Sequence, residues 1–475
     1  MTENTTLVPQ KVSKDETSLG YMLKLAAPMI VTYVSFTVMQ FVDRFMVSYL
    51  GTEALAAILP AGIISFIPAS FALGVITTVS TFISQSLGRG RKKDCSNYCW
   101  QVIYMGLAYF LVSVAIMWPA APWIFRTLGH EPAVANLEVI YLRIMLYCHV
   151  LAIFIWSSSQ FFMGVHRPII KMYAAVCGHL TNVGVNYLLI FGKFGFPKMG
   201  IAGAGWGTFI GITLEAGILM GVFLSGETNA TFKSRQTTKI DLSKMVNLVK
   251  IGFPAGVAFM INVTFLGTIL FGLVGRFGKE ALAATSAVFS CINVSVMAIV
   301  GIGAALTAAV GKSIGEGRKD VAVRQTSVCL RAGMAYMLFM GFCFIVFRKE
   351  LMAFWSSDDK VISTGINIVI FAVLFQVFDA MTIIYNGALR GAGDTLWLGA
   401  ISASGSLFIL GVGGFLMIKF FPQLGAIGPW IAATANMAAV GLANRWRFKS
   451  KRWMKIDLFK RPAVAAPVEI EEVVE

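Results

Sequence analysis

The sequence predicts an all-α polytopic membrane protein with twelve transmembrane helices in two six-helix lobes related by an internal repeat. Three observations carry that expectation. The 475 residues are 57% hydrophobic and 13% charged, with a mean hydropathy of +0.74, more apolar surface than a water-soluble fold can cover. Apolar runs of the roughly 20 residues needed to cross a hydrocarbon core about 30 Å thick recur along the whole chain. The second half also repeats the first at a fixed offset.

In chain order, residues 1–20 are polar and lack an apolar signal core, so they read as a cytoplasmic tail and not as a cleavable signal peptide. Six runs near 23–50, 54–83, 98–119, 136–163, 171–192 and 201–225 place the N-lobe over residues 21–225. The polar stretch 226–247, GETNATFKSRQTTKIDLSKMVN, is the expected cytoplasmic linker. Six further runs, near 248–274, 281–311, 325–347, 361–389, 396–418 and 425–444, give a C-lobe over 248–445, and 446–475 form a second tail.

An even number of spans puts both termini on one side. That side then carries 27 of the 39 Lys and Arg residues and the opposite side 10, so the positive-inside rule places both termini in the cytoplasm and the protein in the plasma membrane. The net charge of +15 is thereby a matter of topology, and no nucleic-acid partner is expected. Seven cysteines, odd in number and scattered through apolar runs, read as packing residues rather than disulfides or metal ligands.

The repeat has an offset of 226–227 residues. LKLAAP (23–28) matches VKIGFP (249–254), GTEALAA (51–57) matches GKEALAA (278–284), and LGRGRKKD (87–94) matches IGEGRKD (314–320). MGVHRP (163–168) aligns with RGAGDT (390–395). Matching loops as well as matching apolar helices exclude chance similarity. Two halves in the same orientation are the architecture of a transporter whose site lies between them, near the midplane.

An ionisable group in hydrocarbon is costly unless it faces a cavity or a partner, so each one needs a reason. Asp379 lies near the middle of the tenth run. Gln376, Asp379, Thr382 and Asn386 form one polar stripe on an otherwise apolar helix, which must face protein or water. Asp43 lies near the far end of the first run, sharing a face with Tyr33, Phe36 and Gln40, while Arg44 points about 100° away. His179, Asn182 and Asn186 stripe the fifth run; Glu215 sits within the sixth and Asn262 within the seventh. Arg143 and His149 suit bonds between neighbouring helices. Pro28 and Pro254, at matched repeat positions, are expected to end or bend the first turn of spans one and seven. The 37 Phe and 23 Met residues suit an adaptable apolar cavity.

Three motif fragments carry no chemistry. GKS at 311–313 lacks the glycine a phosphate-binding loop needs, because Leu306 stands there. GAGD at 391–394 resembles part of an intramembrane aspartyl protease, yet Asp379 is on the same helix and the aligned residue of the first half is Arg167. Asn262 and Asn293 fit glycosylation sequons but lie inside spans. No nucleophile–base set or metal motif appears, so neither an enzyme nor a metal site is expected.

The paired loops, FVDRFMVSYLG, GALRGAGDT and GKFGFPKMGIAGAGWGT (192–208) together resemble the multidrug and toxic compound extrusion family over about residues 20–445. The resemblance implies twelve helices in two lobes and antiport of small organic cations against H⁺ or Na⁺, with no other cofactor and with the monomer in membrane lipid as the working unit. It makes Asp43 the coupling carboxylate of the first helix. Asp379 becomes the tenth-helix carboxylate, and Asn182 and Asn186 the fifth-helix asparagines, of the NorM-like branch. The chain departs at Asn262, where that branch carries a Glu, which shifts the expectation towards protons and leaves Glu215 as a substitute carboxylate. The alternative is a lipid or lipid-linked oligosaccharide flippase of related architecture. Such proteins line their cavity with Arg and Lys, whereas these spans offer mainly acids and amides.

Overall fold

The computed structural model describes residues 14–128, 131–265 and 271–459. The N-lobe contains α1 (Leu19–Ser48), α2 (Thr52–Thr77), α3 (Val79–Gly88), α4 (Lys92–Thr127), α5 (Pro132–Gly164), α6 (Pro168–Phe191) and α7 (Ile201–Phe223). A short α8 (Gly226–Phe232) leads to the C-lobe: α9 (Leu242–Phe265), α10 (Phe271–Gly275), α11 (Lys279–Gly315), α12 (Lys319–Val346), α13 (Arg348–Trp355) and α14 (Asp359–Ala392). It ends with α15 (Thr395–Ser404), a π-helical stretch (Gly405–Gly413), α16 (Gly414–Phe420) and α17 (Ile427–Lys449).

Eleven spans among the described residues are long and apolar enough to cross a membrane; α2 and α3 run together as one, as do α15, the π stretch and α16. The twelfth is α17, whose 23 residues reach about 35 Å at 1.5 Å each. Its hydropathy is lowered by small residues and by Arg445, Arg447 and Lys449 at one end. The fold is thus the expected all-α, two-lobed one. Each lobe has its own core, centred in the C-lobe on α11, α12 and α14 and in the N-lobe on α2 to α7.

The repeat is visible in the backbone. Gly51 and Gly278, matched in sequence, begin α2 and α11 with φ of 108° and 99°. Gly90 and Gly317, in the paired basic loops, have φ of 74° and 79°. These left-handed values favour glycine because a Cβ would clash. A second matched pair has reversed charge: Arg167 binds Glu227 at 2.6 Å, whereas Asp394 at the aligned position binds Arg447 at 2.7 Å. Asp394 accepts from two guanidinium nitrogens, Nε and Nη2. The aspartate of the GAGD fragment is therefore committed to a bidentate ion pair.

Two boundaries differ from expectation. The 226–247 stretch is not a plain linker, since it contains α8 and the first turn of α9, whose polar start the hydropathy profile missed. Pro28 and Pro254 stand at least two turns inside α1 and α9 rather than in the first turn, because both helices begin before their apolar runs. Each proline still removes an N–H, depriving the carbonyls of Lys24 and Lys250 of their intrahelical donor.

The lobes meet along α1 with α11 and α2 with α9. A methyl group on Gly74 of α2 would lie 2.7 Å from the Cα of Gly256 of α9, so two backbones touch there. The interlobe hydrogen bonds fall near the ends that carry the termini. Thr81 Oγ1 donates to the Arg390 carbonyl at 2.9 Å and Gln85 Nε2 to that of Gly391 at 3.0 Å. His166 Nε2 lies 3.1 Å from the Ala308 carbonyl.

Both tails brace this end by gripping the opposite lobe. Ahead of α1, Glu16 binds Lys312 at 3.1 Å and also Arg318, which pairs in turn with Glu316. Lys312 of the GKS fragment is thus a structural cation. Beyond α17, Asp457 binds Arg89 at 3.0 Å, and Arg89 lies 4.3 Å over the ring of Phe459. Burial alone would raise the Glu16 pKa, but hydrogen bonds from Arg318 and Lys312 outweigh it and hold it below the ordinary 4.5. A carboxyl with a lowered pKa contributes its full stabilisation above the ordinary value and loses it as pH falls through the lowered one. The brace is complete at pH 7 and weakens only below about 4.5.

Glu16→Gln is expected to raise the population with this end open by roughly twofold to fivefold, the range of a partly exposed ion pair. Spin-label distances across the lobes at pH 7 would measure it. An unchanged distribution would show that Glu16 does not brace the lobes.

Candidate functional site

Two polar centres lie in the spans, one in each lobe, and the acids singled out in the sequence do not converge. In the N-lobe, Asp43 of α1 accepts a hydrogen bond from Asn186 Nδ2 of α6 at 2.7 Å. Asn186 also donates to Asn182 Oδ1 at 3.2 Å, and Asn182 Nδ2 donates to Thr208 of α7 at 3.1 Å. The i, i+4 spacing of the two asparagines puts both amides on one face of α6. Arg44 is exposed and forms no ion pair with Asp43 among the described residues, so the aspartate is not an interfacial salt bridge. His179 continues the stripe, its Nδ1 lying 2.9 Å from Ser35 Oγ.

The second centre is a cavity of about 390 Å³ between the lobes. Its C-lobe wall carries Asp379, Thr382 and Asn386 of α14, with Asn262 of α9 and Asn436 of α17. Met29 and Tyr33 of α1, Met163 of α5 and Phe259 of α9 supply apolar surface. Asp379 is half-buried, and its carboxylate has no hydrogen-bond or ion-pair partner among the described residues. Asn262 accepts from Ser406 at 2.8 Å and Asn386 from Asn444 at 2.8 Å. The Asn436 amide oxygen is buried without a partner. Around Asp379 the cavity thus presents one free carboxylate, amide groups and apolar wall, a surface suited to an organic cation.

A scan against protein-family models matches the model described as MatE over residues 28–188 and 254–413, more than half of the chain and split between the halves of the repeat. The chain belongs to the MatE family. Among curated proteins, this MatE chain is 28% identical over 443 residues to a probable multidrug resistance protein NorM of Mesorhizobium japonicum, covering 89% of this chain and 92% of the relative. It is 24% identical over 432 residues to the multidrug resistance protein NorM of Vibrio cholerae, covering 89% and 93%. Among solved structures, a MATE protein in complex with MaL6 superposes with a TM-score of 0.84 at 18% identity, covering 93% of this chain and 98% of that one. An outward-facing multidrug resistance MATE transporter also superposes with a TM-score of 0.84 at 18% identity, covering 94% and 100%.

Not every residue picked from the sequence joins these centres in the MatE chain. Gln376 is buried against α11 and α12 and accepts from Ser295 at 3.2 Å, outside the cavity. Its position is about 60° round the helix from Asp379, enough to turn it from the cavity into the lobe core. Gln40 is exposed and makes no described side-chain bond. Glu215 is buried against Gly178 of α6, with a methyl group there 2.9 Å from its Cβ, and does not line the cavity. Arg143 packs 5.0 Å over Trp118, and His149 lies among Phe66, Phe110 and Trp156. Positions 269–270, aligned with Asp43 across the repeat, lie outside the described residues.

Two cavity residues escaped the sequence reading: Lys171 of α6 and Arg390 of α14. In the positive-inside count both fall among the loop charges of the terminal side. A signal existed for Arg390, which falls four residues after Asn386 and extends the Asp379–Thr382–Asn386 face by another turn.

Proposed function

We propose that this protein exports small organic cations by antiport with H⁺ or Na⁺ through alternating access. It does so as a monomer in the bacterial plasma membrane, with both termini in the cytoplasm. The observation that carries this reading is the unpaired Asp379 in a Met- and aromatic-walled cavity between two repeat-related lobes. A bound cation finds there a desolvated carboxylate and adaptable apolar contacts. The Asp43–Asn186–Asn182 chain in the other lobe takes the coupling ion. Asp43 is the one acid of that chain, its other members being two amides and a hydroxyl, and this favours a proton over Na⁺ as the coupling ion. Neutralising Asp43 changes the charge of the N-lobe centre, and the lobes rock about their contacts to exchange access.

The alternative is a lipid or lipid-linked oligosaccharide flippase, and one observation favours it: the cations Lys171 and Arg390 at the cavity, which suit a phosphate.

The deciding measurement uses purified protein in liposomes with rhodamine 123, first under an imposed pH gradient and then under an imposed Na⁺ gradient. Uphill movement under the pH gradient alone is the expected result. Movement only under the Na⁺ gradient would reassign the ion. With folded protein, no uphill movement under either gradient would overturn antiport in favour of the flippase.

A further inference from the structure

The cavity is chemically lopsided along its length. At the level of Asp379 it offers acceptors: the free carboxylate and the unpartnered Asn436 oxygen. Towards the closed end it offers donors. Arg390 lies eleven residues further along α14, about 16 Å between Cα atoms at 1.5 Å per residue. Its carbonyl is held by Thr81, which fixes this turn of helix against the N-lobe. Its guanidinium, in contrast, has no hydrogen bond or ion pair among the described residues, and Nε is buried without any acceptor.

Lys171 lines the same cavity from α6, with Nζ 5.4 Å from the centre of the Tyr33 ring and no carboxylate partner. The acid on the neighbouring helix, Glu215, packs at Gly178, two turns from Lys171; it feels the Lys171 charge but makes no direct salt bridge with it among the described residues. Ser159 of α5 adds a buried cavity hydroxyl without a partner.

Two cations without a hydrogen-bonded carboxylate thus line one cavity, each near Tyr33, and one anionic group satisfies both. A guanidinium binds a carboxylate or phosphate in fork geometry, with an ammonium and a hydroxyl as further donors. By contrast Lys312 and Arg318 share Glu16, Arg89 binds Asp457, Arg167 binds Glu227 and Arg447 binds Asp394.

We propose that Arg390, Lys171 and Ser159 form an anion subsite at the closed end of the cavity, opposite Asp379. The preferred substrates are then amphoteric molecules that place a cationic group at Asp379 and a carboxylate at Arg390 and Lys171. This rests on the transport reading above and refines its substrate class. It also accounts for the two basic residues without a lipid phosphate. Side chains on a helix lean towards its N-terminus, so the long Arg390 reaches back along α14 towards Asp379 and leaves the two subsites on the order of 10–15 Å apart, within reach of a drug-sized molecule.

The test compares two dyes that differ only at one group: rhodamine 110, with a free carboxylate, and rhodamine 123, its methyl ester. Dissociation constants are measured by fluorescence polarisation on the full chain in phosphatidylcholine nanodiscs. In the wild type, rhodamine 110 is expected to bind more tightly. Arg390→Gln and, separately, Lys171→Gln are each expected to shift the ratio of the two constants roughly tenfold towards rhodamine 123, as for loss of a charge-assisted bond. Arg390→Lys is expected to restore part of the ratio. A ratio unmoved in both variants, with rhodamine 123 still bound, would overturn the subsite and leave the transport reading intact. If neither dye binds the wild type, the transport reading falls first. If phosphatidylglycerol in the nanodisc displaces rhodamine 110 from the wild type, a lipid phosphate occupies the subsite and the amphoteric substrate is excluded.

Discussion

Asp379→Asn is expected to weaken binding of a monocationic dye by roughly 30- to 1,000-fold, equivalent to about 2–4 kcal/mol for a charge pair near 4 Å at an effective dielectric constant of about 20. The size of the effect follows from the isolation of this carboxylate. No arginine, lysine or amide donor among the described residues holds it, so its full charge is available to a ligand. Asn has nearly the same volume and leaves Thr382 bonded to the Phe378 and Met437 carbonyls as before. The folded state is therefore expected to persist, with a melting temperature close to that of the wild type. Asp379→Glu keeps the charge on a longer stem and is expected to retain a measurable part of the affinity. Equal dissociation constants for the wild type and Asp379→Asn would remove the carboxylate from the binding site and with it the principal argument for cation export.

The fold was legible because its causes are repetitive. Apolar length identifies spans one by one, and paired glycines such as Gly51 and Gly278 mark the same left-handed turn in both halves. Polar helix starts were less legible, since α9 begins at Leu242 within a stretch whose lysines and threonines resemble a loop. The site was legible only where a residue type is anomalous in its surroundings. Asp43 and Asp379 stand out as acids in hydrocarbon, but the hydrogen bond from Asn186 to Asp43 joins positions 143 apart, and no local pattern encodes it. The resemblance to a known family, not periodicity, brought those residues together. Gln376 shows the reverse case. It fits the i, i+3 spacing of the stripe, yet the packing of α14 between α11 and α12 turns it into the core. Lys171 and Arg390 were hidden by their position. Basic residues near span ends serve the positive-inside rule, and only the packing of α6 and α14 in the folded chain shows that these two line a cavity.

Asp43→Asn is expected to separate coupling from binding, which Asp379→Asn cannot do. Asp43 does not line the interlobe cavity; it closes a hydrogen-bonded chain through Asn186 and Asn182 to Thr208, wholly within the N-lobe. The substitution keeps the shape of the side chain and an oxygen that can accept from Asn186, while removing the only acid of that hydrogen-bonded chain. Uphill export of rhodamine 123 under a pH gradient is therefore expected to fall at least about tenfold, whereas the equilibrium dissociation constant of the dye stays within roughly threefold of the wild type, because Asp43 makes no contact with the cavity. Asn186→Leu removes the donor instead. It leaves Asp43 without its hydrogen bond at a cost of about 1–3 kcal/mol and is expected to impair both stability and export. Loss of dye affinity in Asp43→Asn comparable to that in Asp379→Asn would show that both carboxylates hold the substrate. Full gradient-driven export in Asp43→Asn would show that the proton is carried elsewhere. Glu215, an acid buried in the N-lobe spans outside the cavity, is then the next residue to replace.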